Sequence, residues 1–193
     1  MNCDVTGCLN LAVVRQFCLG GGCAEERALC DNHGREAVAD RAFTSAATGL
    51  APADEGAVTF HLDSVLIHEA SDVAAVYLRH ARDGSFFIFT TGRFEAWTLA
   101  SLIMRGTKHE RPLTHTAILN VIRSLGGVLK GVVVEDFISG AYHATLEIMQ
   151  CDRRISVDVR PSDAVAVAMV SGAPIRVGLN ALRTAAALAA KRG

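Results

Sequence analysis

From residue 58 onward the chain alternates between runs of strand-like and runs of helix-like apolar patterning. "VTFHLDSVLIH" (58–68), "DVAAVYLRHA" (72–81) and, after an Asp83-Gly84 turn, "SFFIFTT" (85–91) have the pattern and short connections of an antiparallel meander. "RFEAWTLASLIMRG" (93–106) and "THTAILNVIRSLGG" (114–127) read as helices. In the second, Ile118, Leu119, Ile122 and Leu125 share a face and Gly126 supplies the stop. "VLKGVVVEDFI" (128–138), a Ser139-Gly140 turn, "AYHATLEIMQ" (141–150) and "RRISVDV" (153–159) give a second meander. A helix within "DVRPSDAVAVAMVSGAP" (158–174), a short strand "PIRV" and a tail helix "ALRTAAALAAK" close the chain. Runs of strands followed by runs of helices predict an α+β domain over residues 57–193, with a mostly antiparallel sheet and packed helices.

The first 41 residues follow a different logic. Five of the six cysteines fall at positions 3, 8, 18, 23 and 30, followed by His33. In a reducing compartment such clustering points to metal ligation sooner than to disulfides. Zinc is the natural ion, since a segment this short needs a cross-link to hold it folded. Cys3 and Cys8 form one knuckle and Cys30 and His33 the other, joined by two short strands, "LAVVRQF" and "AEERAL", around the glycine turn "CLGGGC". A rearranged set using Cys18 and Cys23, placed opposite each other at the far tip, is the competing reading. Four protein ligands make the zinc structural. Cys151 reads as a strand-end residue. "GREAVADRAF" suggests a short helix, and residues 42–56 have the small-residue composition of a linker. The expected organisation is a zinc-ribbon-like Cys/His module at 1–41, a linker at 42–56 and the α+β domain at 57–193.

Composition changes this picture only in part. The 193 residues are 50% hydrophobic and 20% charged, enough for a well-buried core. No apolar run approaches the roughly 20 residues of a membrane span, and "MNCDVTGCLN" lacks the form of a signal peptide, so a cytoplasmic protein without membrane association is expected. A net charge of −1 argues against coating nucleic acid over the whole surface. Residues 105–131, however, carry Arg105, Lys108, Arg111, Arg123 and Lys130 against Glu110 alone, which favours an anionic ligand there or a solvated basic face.

The densest polar chemistry precedes the most apolar helix. Asp158 and Arg160 at i, i+2 share a strand face opposite Ile155, Val157 and Val159. Ser162 and Asp163 suit the start of a helix, where their oxygens accept unpaired backbone N–H groups. With "GRFEA" (92–96), "RPLTH" (111–115) and "YHATLEI" (142–148), "DVRPSDAVAVAMVSGAPIRV" (158–177) resembles the bifunctional nuclease family, whose members act on both DNA and RNA. The resemblance covers about residues 58–178. It departs at Thr116, where the family has an acid, and at Tyr142-His143-Ala144, where it has Phe-Tyr-Ala.

The resemblance implies a nuclease hydrolysing phosphodiester bonds in DNA, RNA or both. At the matching positions, chemistry assigns Asp158 and Asp163 to Mg²⁺ or Mn²⁺, Arg160 and Arg111 to phosphate, and His115 to general acid–base work. Glu95 is the sole acid of its helix. Each has a structural reading too: an Asp158–Arg160 ion pair, a Ser162–Asp163 cap, or an Arg160 pairing with Asp158 or Asp163. The rival function is a non-catalytic regulatory or binding module docking a partner protein or nucleic acid, and a homo-oligomer fits either reading.

Overall fold

In a computed structural model, residues 1–20, 23–39, 56–105 and 111–190 are described below. Most of the expected linker, the end of "GREAVADRAF", and Lys108 and Glu110 of the basic segment lie outside these residues.

A hairpin opens the chain: β1 (Val14–Gly20) and β2 (Cys23–Leu29), followed by α1 (Asp31–Ala39). Next comes the first meander, β3 (Ala57–His68), β4 (Val73–His80) and β5 (Phe86–Gly92), then α2 (Arg93–Arg105) and α3 (Thr114–Ser124). The second meander is β6 (Val128–Ile138), β7 (Ala141–Gln150) and β8 (Arg153–Val159). The chain then forms α4 (Pro161–Ser171), β9 (Ile175–Gly178) and α5 (Leu179–Ala190). The architecture is the mixed α+β fold that the patterning predicts.

Nine strands form one sheet in the order β2-β1-β3-β9-β6-β7-β8, with β4 and β5 branching from β3. The long β3 makes this possible. Its Ala57–Phe60 half pairs with β9 and its Ser64–His68 half with β1 along one edge, while β4 takes the other edge. β9 is the bridge between the meanders, antiparallel to β3 and parallel to β6. Pairing of β1 with β3 thus joins the Cys/His segment to the sheet of the larger part.

Helix α4 packs against both α2 and α3, with α4 over β6 and β7 and α2 over β3 and β4. The helix α4 is buried from Ala164 through Ala168 on all sides, which its small Ala and Val side chains permit. It ends at Gly172, whose positive φ of 75° is the left-handed stop that glycine adopts without strain.

Three local expectations are corrected. The N-cap of α4 is Arg160, with Pro161 as its first residue and no side-chain cap hydrogen bond, so Ser162 and Asp163 lie inside the first turn and do not cap it. The fixed φ of Pro161 starts the helix earlier than the serine. In the β1–β2 register Cys23 faces Gly20 and Cys18 faces Glu25, so the two cysteines are not opposite each other. Cys151 lies in the turn between β7 and β8, where it and Asp152 both have positive φ.

Candidate functional site

Three helix starts converge on one corner. Glu95 lies in the first turn of α2, His115 in that of α3 and Asp163 in that of α4, while Arg160 ends the approach from β8. The N-terminal end of a helix carries partial positive charge, so carboxylates and bound anions are stabilised there.

One guanidinium connects them. Arg160 Nε donates to Asp163 Oδ2 at 2.8 Å, and Arg160 NH1 donates to Glu95 Oε1 at 2.6 Å. Asp163 Oδ1 in turn lies 3.2 Å from His115 Nε2. Asp163 first, and Glu95 second, raise the pKa of Arg160 further above its ordinary value. Exposure falls along the chain of contacts, from 65% for the Arg160 side chain to 12% for His115.

A cleft of about 460 Å³ borders this corner. Glu95 and Arg160 line it together with Gly92, Phe137, Gly140 and Tyr142. The rings of Phe137 and Tyr142 meet edge to face with centroids 4.8 Å apart. Gly92 has a specific part in this wall, because a Cβ there would collide with Glu95 Oε2. Its missing side chain lets the carboxylate fold back over the end of β5.

The residues singled out from sequence are therefore divided. Glu95, His115, Arg160 and Asp163 come together. Asp158 belongs to a different environment: its side chain is 80% exposed and its Oδ1 lies 3.5 Å from His143 Nδ1 on the neighbouring strand. Asp158 thus meets His143, whereas Asp163 meets Arg160 and His115; among the described residues, the group of three or more His, Cys, Asp or Glu donors in metal-ligand proximity is elsewhere. Arg111 is exposed in the segment leading into α3. Sequence reasoning missed Gly92, Phe137 and the Glu95–Arg160 contact. An aromatic residue near each side of the Ser139-Gly140 turn was the available signal for the cleft wall.

That other group is Cys3, Cys8, Cys30 and His33, whose ligand atoms all lie within 4.8 Å of one another. Cys8 Sγ and Cys30 Sγ are 3.8 Å apart, and His33 Nδ1 lies 3.3 Å from both Cys3 Sγ and Cys30 Sγ. Zinc–sulfur bonds of about 2.3 Å at the tetrahedral angle place two sulfurs about 3.8 Å apart, so the donors fit that ion. Burial opposes ionisation of Cys3, but hydrogen bonds at Val5, Cys30 and His33 outweigh it and lower the thiol to about 6. Cys30 is lowered too, chiefly by the backbone at His33. On the far side of the ring His33 Nε2 lies 3.8 Å from Glu36 Oε2, and Gly34 lets α1 approach Val14, where a Cβ would clash. The cluster could hold a metal ion such as zinc.

Comparison with known proteins places the larger part of the chain in a family. A family model described as "Bifunctional nuclease domain" matches residues 76–189, more than half of the chain. The chain belongs to the bifunctional nuclease domain family. The match includes Glu95, His115, Arg160 and Asp163 and leaves the Cys/His cluster outside. Two uncharacterized proteins of Mycobacterium tuberculosis, from strains CDC 1551 and H37Rv, are each 35% identical over 113 residues. The alignments cover 58% of this chain and 66% of each relative, just under two thirds of the relatives' length. Among the described residues no helix is long and apolar enough to cross a membrane.

Proposed function

We propose that the protein is a nuclease that hydrolyses phosphodiester bonds of DNA, RNA or both in the cleft at Glu95 and Arg160. The observation that carries this reading is the Glu95–Arg160 contact in the cleft wall, inside the matched family domain. Arg160 is the phosphate-binding group: it is the most exposed member of the corner, and a guanidinium presents several donors to phosphoryl oxygens. Glu95 is the general base. It takes a proton from water as the water oxygen bonds to phosphorus, and Arg160 offsets the charge gained by the non-bridging oxygens. The phosphorus bond to the leaving sugar oxygen breaks, and that oxygen takes up a proton from solvent.

Asp163 and His115 do not line the cleft and serve as positioning residues. Asp163 fixes Arg160 through Nε, and His115 fixes the other oxygen of Asp163. Phe137 and Tyr142 offer faces and edges for a base.

The test is cleavage of end-labelled single- and double-stranded DNA and RNA by the purified full chain, with Mg²⁺ or Mn²⁺ titrated in and with chelator as a separate arm. Cleavage that elutes with the protein and disappears in Glu95→Gln supports the reading. Absence of cleavage in every arm, from a preparation that binds nucleic acid or captures a partner protein, overturns it in favour of a binding or regulatory module.

A further inference from the structure

Strand β8 ends the sheet. Among the described residues its one ladder partner is β7, and its outer edge faces away from that partner. A free edge of this kind is a template for another strand, and charged side chains on it restrict which strands can pair. The edge reads Arg153-Arg154-Ile155-Ser156-Val157-Asp158-Val159.

We propose that β8 pairs antiparallel with β8 of a second copy of the chain, about a two-fold axis at Ser156. The argument is one of register. An isologous antiparallel pair has its axis perpendicular to the sheet, which keeps each face on its own side, and side chains alternate faces along a strand. Residues of even number therefore oppose residues of even number, and the axis must pass through a residue.

The charges then discriminate among the available axes. An axis at Arg154 sets Arg154 against Arg154 of the second copy, and one at Asp158 sets Asp158 against itself. Within Arg153–Val159 an axis at Ile155 sets Arg154 opposite Ser156, and one at Val157 sets Asp158 opposite Ser156, so neither joins opposite charges. Like charges directly opposite are unfavourable. At Ser156 every conflict disappears: Arg154 faces Asp158 of the second copy twice, and Ile155 faces Val157 twice on the other side.

The strand at the other end of the sheet path behaves differently. In β2 an axis at Glu25, Glu26 or Arg27 puts like charges at the two-fold itself. Self-pairing is thus encoded in β8 and opposed in β2. Apolar surface adjoins the β8 edge as well. Val157 is exposed on the strand itself.

The pairing does not depend on the nuclease reading, and its test measures mass. Zinc-loaded full-length protein is run by sedimentation equilibrium across micromolar concentrations, with circular dichroism to confirm folding. The expected result is a dimer whose dissociation constant rises by at least about tenfold in Arg154→Asp and in Asp158→Arg, because two attractive contacts become repulsive in each. An equimolar mixture of the two variants restores a dimer, since each cross-copy pair is then Asp against Arg. The double variant R154D/D158R restores it alone and carries the test where either single variant misfolds. A monomeric wild type, single variants that dimerise as tightly as wild type, or a mixture that stays monomeric would each overturn the proposal.

Discussion

Arg160 NH1 donates to Glu95 Oε1 at 2.6 Å across 65 positions of sequence. This contact fastens the start of α4 to the first turn of α2, and so brings Gly92 and Glu95 of "GRFEA" and Arg160, Pro161 and Ser162 onto one cleft.

Removing either partner should separate activity from stability. Glu95→Gln keeps the size of the side chain but not its basicity, and cleavage should fall by about 100-fold or more. The melting temperature should hardly change, because so exposed a pair contributes only about 0 to 1 kcal/mol. Arg160→Lys keeps the charge and loses the fork, and should weaken substrate binding more than turnover. Folded variants cleaving at the wild-type rate would move the chemistry away from this corner.

Gly92→Ala probes the same carboxylate without touching its chemistry. The added methyl collides with Glu95 Oε2, the mobile end of a side chain, so Glu95 turns aside while the strand stays intact. Activity should drop by about tenfold or more, consistent with the sensitivity of catalysis to misplacement on the ångström scale. Wild-type kinetics in a folded G92A protein would show that the position of Glu95 is immaterial.

The Cys/His cluster should carry one zinc per chain in protein purified under reducing conditions. Cys8→Ser should lose the metal, whereas Cys18→Ser, altered on β1 away from the four donors, should retain it. Stripping the ion should unfold the knuckles, because ligand deprotonation, ion binding and folding are coupled in so small a segment. Retention of zinc by Cys8→Ser would refute the assigned ligand set.

At the β4–β5 turn, Asp83 Oδ1 accepts hydrogen bonds from the Ser85 backbone and hydroxyl and meets His80 Nδ1 at 2.5 Å. Burial pushes its pKa up, but these contacts outweigh that and lower it from 3.8 to about 2. A carboxylate whose folded pKa is depressed adds stability above its unfolded pKa. That stability is lost as pH falls from about 4 to about 2. With the Asp83 side chain 47% exposed, screening reduces the contribution to about 1 kcal/mol. Acid unfolding of Asp83→Asn should be flatter in this window, and an unchanged curve would remove the turn from the acid response.

Much of the molecule is legible before folding, wherever the information is local. The alternation of Phe86–Gly92 and Val128–Ile138 marks strands, since side chains alternate across a sheet. Cys3, Cys8, Cys30 and His33 could be paired from spacing because a hairpin closes between the two knuckles. The resemblance carried by short boxes is local as well.

What depended on distance was not legible. Asp158 and Arg160 are two residues apart and share a strand face by parity. Yet Asp158 stays on that face beside His143, while Arg160, at the N-cap of α4, reaches Asp163 and Glu95. Pro161 makes the difference by starting a helix at once, which ends the alternation on which parity rests. The partners of β3 likewise follow from how its long edge is shared between β1 and β9, a choice made by packing the two meanders together. The sequence by itself determined the strands, the helices and the clustered Cys/His donors, because each rests on neighbours along the chain. Only the tertiary structure decided which charges meet, because Glu95, His115 and Asp163 are joined through three helix starts that no local pattern orients.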